Sequence, residues 1–131
     1  MPDADLPISF ERDEPEVSIF QFENVDIEVT RSKGVDKMGP DEDGLYEFYY
    51  DFELFEFRSG SRVVHGRAYA DQENEASLIA IYEDGERRLM SVSDLQADLG
   101  RAAIRYFKNI GKTDIKWLDP DNKVTGYSPI P

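Results

Sequence analysis

The stretch "LYEFYYDFELFEFRSG", Leu45 to Gly60, sets aromatic and acidic residues in turn. Strand side chains point alternately to opposite faces. Tyr46, Phe48, Tyr50, Phe52 and Leu54 therefore share one face, and Glu47, Tyr49, Asp51 and Glu53 the other. The rings are expected to meet a core and the acids water. Beyond Leu54 the phase changes, because Phe55 and Phe57 are apolar while Glu56 and Arg58 are polar. A bulge at Leu54/Phe55 would keep the apolar side inward.

Downstream, "RSGS" (Arg58 to Ser61) reads as a turn that folds this strand onto Arg62 to Asp71. "QENE" makes the next turn, "ASLIAIYE" (Ala76 to Glu83) a further strand, "DGER" a tight turn and "RLMSV" a short strand after it. Upstream, "VSIFQFENVDIEVT" (Val17 to Thr30) alternates in two phases, which a bulge or bend near Gln21 to Asn24 would reconcile. Arg31 to Gly44, rich in Gly and charge, reads as one long loop, and loops of that length usually serve function.

Toward the C-terminus the period changes from 2 to 3.6. Leu95, Leu99, Ala102, Ala103, Tyr106, Phe107 and Ile110 form one stripe of an amphipathic helix. Ser93 and Gln96 supply a capping box, Asp94 and Asp98 suit the positive end, Lys108 and Lys112 the negative end, and Gly111 the stop. Gly100 inside the helix suggests close packing on a sheet. "DIKWLDPDNKVTGY" then reads as a hairpin of Ile115 to Leu118 and Val124 to Tyr127. The expected fold class is α+β: a twisted antiparallel meander of five or six strands, with one helix, 93–111, packed on one face near the C-terminus. Residues 1–131 are expected to form a single domain. Residues 1–16, with Pro2, Pro7 and Pro15, read as a loosely held lead-in, in which Pro7 to Phe10 would add at most an edge strand.

Charge is the functional lead. The 131 residues carry a formal net charge of −13. Residues 1–56 hold 17 Asp and Glu against 4 Lys and Arg, whereas residues 57–131 hold 11 of each, so the whole excess lies in the first part. Such a surface repels phosphates and anionic lipid and speeds association with basic proteins. The expected partner is a basic protein, with no direct nucleic acid and no membrane. The 16 aromatic residues supply a core that an acidic disordered tail lacks. With no cysteine, disulfides, thiolate metal sites and a cysteine nucleophile are excluded. No apolar run approaches a membrane span, and the acidic start does not read as a secretory signal, so the expected compartment is the cytoplasm.

Catalytic and metal motifs are few. His65 is the sole histidine, which removes any multi-histidine site, and it reads as a strand residue that is part of the surface or satisfied within the sheet. Pairs such as Asp41 and Asp43, or Glu47 and Asp51, are expected by chance among 28 carboxylates. "DEDG" (Asp41 to Gly44) and "DPDN" (Asp119 to Asn122) lack the closing Glu of a calcium loop. No cofactor and no enzymatic activity are expected. Arg101, Arg105, Lys108 and Lys112 read as a solvated helix face that pairs with the acidic half.

The candidate site is the acidic strand face: Glu47, Asp51 and Glu53 with Tyr49 among them, backed by Asp26 and Glu28 from a neighbouring strand and by Asp41, Glu42 and Asp43 from the loop. Acids would steer a basic partner and Tyr49 would anchor it. The plainer interpretation is that these acids keep an aromatic-rich sheet soluble and block edge pairing. No motif identifies a family. In composition the chain resembles bacterial immunity proteins that neutralise basic nuclease toxins, being small, acidic, cysteine-free and poor in sites. That resemblance implies an inhibitor of a basic partner such as a toxin nuclease. Alternatives are a phosphate-mimicking inhibitor of a nucleic-acid-binding protein, and a small-ligand or enzymatic cup lined by Tyr46, Tyr50, Tyr69 or Tyr106.

Overall fold

The computed structural model describes residues 15–39, 42–44 and 48–131, with the side chains of 35–38 and 48–50 outside that description. The expected lead-in, including Pro7 to Phe10, also lies outside it, apart from Pro15 and Glu16. Among the described residues, eight strands and two helices follow one another: β1 Glu16–Phe22, β2 Val25–Met38, β3 Phe48–Ser59, β4 Arg62–Tyr69, β5 Glu75–Glu83, β6 Glu86–Arg88, α1 Val92–Gln96, α2 Asp98–Asn109, β7 Asp114–Leu118 and β8 Tyr127–Pro129. The sheet runs β1-β2-β3-β4-β5-β7-β8, with β6 also paired to β5. Every pairing is antiparallel except β5 with β7. The α+β class and the antiparallel meander are thus as expected, while the strand count and the single helix are not.

Three local readings in the N-terminal half change, and further on the short strand expected at "RLMSV" lies instead at Glu86–Arg88, with Ser91 as the cap and Val92 the start of α1. The phase break in Val17 to Thr30 is a reversal of the chain, not a bulge. Glu23 and Asn24 have φ of 48° and 66°, and two successive positive φ values suit a tight turn whose twist matches its strands. Phe20 then pairs with Ile27 and Phe22 with Val25, so even positions of β1 share a face with odd positions of β2. Arg31 to Met38 is also strand rather than loop, pairing with Phe48 to Phe55. Gly34, a poor strand residue alone, lies buried opposite Phe52.

The third change concerns the quoted stretch. β3 pairs with β2 and β4 without a register shift, so no bulge separates Leu54 from Phe55. Both faces of β3 are buried instead. Phe55 and Phe57 point to the helices, and Phe52 and Leu54 to the far side.

The helix-covered face holds the main core. Phe107 of α2 is fully buried and meets Phe55 and Phe57 edge-on, with centroids 4.9 and 5.5 Å away. Tyr106 makes similar contacts to Phe57 and Phe20 at 5.4 and 5.5 Å. Gly66 makes room for this packing, since a Cβ there would lie 2.9 Å from Phe107 Cζ and 3.1 Å from the Ser77 carbonyl oxygen.

The expected helix is broken at Ala97, whose extended backbone (ψ 164°) separates α1 from α2. Its cap is Ser91 rather than Ser93. The Asp94 N–H donates to Ser91 Oγ, and the Ser91 N–H donates to Asp94 Oδ2 at 2.7 Å. Gly100 serves the α1–α2 junction, not sheet packing, because a Cβ there would fall 2.2 Å from the Asp94 carbonyl oxygen. The stop is as expected: Gly111 (φ 98°) donates to Lys108 O and Lys112 N–H to Phe107 O, the bond pair of a Schellman ending. Of the expected C-terminal hairpin the first strand forms as β7, but the second is not Val124 to Tyr127: Val124 and Thr125 donate their N–H groups to Asn122 Oδ1 within the turn, and β8 begins at Tyr127, opposite Leu118.

Candidate functional site

Strand parity decides which acids meet. Residues directly opposite in an antiparallel pair share a face. Phe55 faces Arg31 and Phe57 faces Val29, so Glu53 and Asp51 lie on the helix-covered side with Lys33 and Val35 opposite them. Glu28 faces Arg58 and Ile19, so Glu28 and Asp26 lie on the far side. The acids do not form one array. A one-residue change of phase moves a whole set of side chains to the other face.

Each expected site residue has its own setting. Glu53 is partly buried and accepts from Arg31 Nε at 2.7 Å and Nη2 at 3.0 Å. Arg31 also donates to the Tyr106 hydroxyl at 3.3 Å and lies 5.1 Å above the Phe55 ring. The bond from Glu53 raises the Arg31 pKa further above its ordinary value. Glu53 is therefore a structural anchor for Arg31. Asp51 is exposed on the same side. Asp26 accepts from Gln21 Nε2 at 3.4 Å, and Glu28 lies 3.7 Å from Arg58 Nε. Glu42 and Asp43 are exposed in a turn ahead of Gly44. Asp41 and Glu47 lie outside the described residues, and so does the side chain of Tyr49, whose backbone pairs with Lys37. The tyrosine cup is not assembled from its described members: Tyr106 packs on the helix-covered side, while Tyr69 lies 5.9 Å from Phe52 on the other.

Several cations are engaged internally. Arg101 pairs with Glu23 of the β1–β2 turn and with Asp98, and Lys112 Nζ donates to the Glu73 carbonyl at 2.8 Å. Glu83 holds Arg62 and Arg88, and its pKa is lowered chiefly by the Arg88 hydrogen bond. Arg88 also grips Asp94 at 2.6 Å and holds that carboxyl down to about 2.

The far face carries features that the acid pattern did not reveal. Among the described residues no helix packs on it. At its β1 end Val17 and Ile19 are 62% and 63% exposed, beside Asp26 and Glu28. Further in, Phe52 and Leu54 are buried, and the Arg67 guanidinium lies 4.5 Å over the Phe52 ring. His65, opposite Glu56, stacks on Tyr82 at 6.5 Å, and its buried Nε2 has no hydrogen-bond partner. Burial, with the charges of Arg67 and Arg87, pushes the His65 pKa down to about 4. A shallow groove of about 200 Å³ is lined by Glu56, Arg58, Ser61, Val63, Tyr82 and Gly85. Alternation alone pointed to Val17 and Ile19 as strand residues. Their exposure was unreadable until the turn at Glu23–Asn24 fixed which side each residue takes.

No group of three or more His, Cys, Asp or Glu side chains stands together in metal-binding fashion among the described residues. Nor, among them, is any helix long and apolar enough to cross a membrane. The chain matches no family model, no curated protein and no solved structure.

Proposed function

We propose that this protein is a binding module for a basic protein partner, an inhibitor of the immunity type rather than an enzyme. The observation that carries the reading is the β1–β2 end of the far face, where exposed Val17 and Ile19 stand beside Asp26 and Glu28 in a chain of net charge −13. Protein interfaces combine apolar contact with a polar rim, and the acids supply steering and orientation. A basic nuclease toxin fits this chemistry, with carboxylates in the place of phosphates. The absence of cysteine suits a cytoplasmic protein. The small-ligand alternative is weaker, since Tyr69 and Tyr106, the described members of the tyrosine cup, lie on opposite faces of the sheet.

The test is capture from a lysate of the cells that make the protein, at about 0.1 M and about 0.5 M salt, the higher value contracting the Debye length well below its roughly 10 Å at 0.1 M. The expected result is one basic protein bound stoichiometrically, weakened by salt and lost in an Asp26→Lys/Glu28→Lys variant. Capture that ignores both salt and the variant would overturn the assignment.

A further inference from the structure

The two ends of the sheet differ. At one end the outermost strand is β8, three residues long and closed by Pro129, and β6, which takes the rest of the edge of β5 that β7 occupies, is three charged residues. Short strands, proline and charge are the usual means of blunting an edge. At the other end β1 is a seven-residue strand, paired to β2 along its whole length and, among the described residues, to nothing on its outer side. β1 contains no proline and no lysine, and Glu16 is its one charged residue. Its outer backbone groups are a template for another strand.

We infer that β1 receives an extended segment of a basic partner as an added strand, in which lysine or arginine alternates with apolar residues. The inference rests on the reading of the protein as a module for a basic partner and names how that partner docks. An added strand would lie about 5 Å outside β1 and about 10 Å from β2. Lysine and arginine lay apolar stems along a surface while their charged ends reach further. On the far face, such stems cover Val17 and Ile19, and the charged ends arrive at Asp26 and Glu28 on β2. Arg58, 3.7 Å from Glu28, is the competing cation, and an incoming basic residue replaces it or shares the carboxylate. Backbone hydrogen bonds give the segment its direction, and the alternation gives it specificity. A second copy of this chain suits the edge less well, because each copy brings a net charge of −13.

The probe is a capped heptapeptide alternating lysine and valine, compared with the same peptide N-methylated along one edge and with a glutamate–valine counterpart. Each is titrated against the native protein and against a Val17→Lys/Ile19→Lys variant, with amide hydrogen exchange followed across residues 16–22. The expected result is binding of the basic peptide about tenfold or more tighter than of either control, a similar loss in the variant, and slowed exchange in β1. N-methylation removes backbone donors without touching the protein, so a folding defect in the variant does not blunt the test. Tolerance of N-methylation with the basic preference kept would overturn strand addition and leave the basic-partner reading standing. No binding of the basic peptide would overturn strand addition, and an empty lysate capture would then remove the reading beneath it. Protection of residues 16–22 in peptide-free protein that sediments as a dimer would make a second copy the occupant and overturn the inference.

Discussion

The two ends of the β1–β5 meander are built for opposite purposes. Around β3–β5, α2 presses Phe107 and Tyr106 onto Phe55 and Phe57, and a glycine at position 66 lets the ring touch the sheet. At the β1–β2 hairpin, one side joins this core through Phe20 and Phe22, while Val17 and Ile19 on the other meet solvent. Stability resides in the first region, and the second leaves apolar surface uncovered. Under the proposed function, a basic partner is what covers it.

The contrast can be broken most severely at Phe107. Truncation to Ala should cost about 3–5 kcal/mol, because a fully buried ring at the helix–sheet contact leaves a cavity. Denaturant unfolding would show it, and a loss below about 1 kcal/mol would mean that the two regions are not so different. A middle-sized effect is expected from pH. The His65 pKa falls from 6.5 to about 4 on folding, so the unfolded chain binds the proton first. The stability it contributes is complete above pH 6.5 and lost as pH drops toward 4. Discounted for the part of the ring that remains exposed, this amounts to about 2 kcal/mol. A His65→Leu variant keeps every carboxylate, so the difference between its stability–pH curve and the native one isolates His65; parallel curves between pH 6.5 and 4 would refute the shift. The smallest effect belongs to the hairpin. Ile19→Ser should change stability by less than about 0.5 kcal/mol, as exposed substitutions do. A thermal melt that moved by many degrees would show that Ile19 is packed in solution.

The sequence carried the meander from β3 to β5, the α2 stripe and the glycine stop at position 111 legibly, because each rests on a periodicity or a local turn. It hid what depends on pairing. Leu54 and Phe55 side by side suggested a bulge, since one buried face was assumed; a strand buried on both faces gives the same letters without one. Arg31 to Met38 looked like a loop because its glycine and charges have low strand propensity, which pairing with the aromatic-rich β3 overrides. Asp51, Glu53, Asp26 and Glu28 were legible as candidates one by one. Their division between two faces followed only from register, and so did the exposure of Val17 and Ile19.

The parallel pairing of β5 with β7 sets an order of events in time. β1 to β5 are joined by successive antiparallel neighbours, each able to form soon after its own residues are made. β7 reaches β5 only after β6, α1 and α2 have been traversed, a non-local closure whose chain entropy is lost before its contacts are gained. During synthesis the residues of β1 to β5 therefore emerge before those of β7 and β8, and the parallel pairing becomes possible only after the antiparallel pairs from β1 to β6.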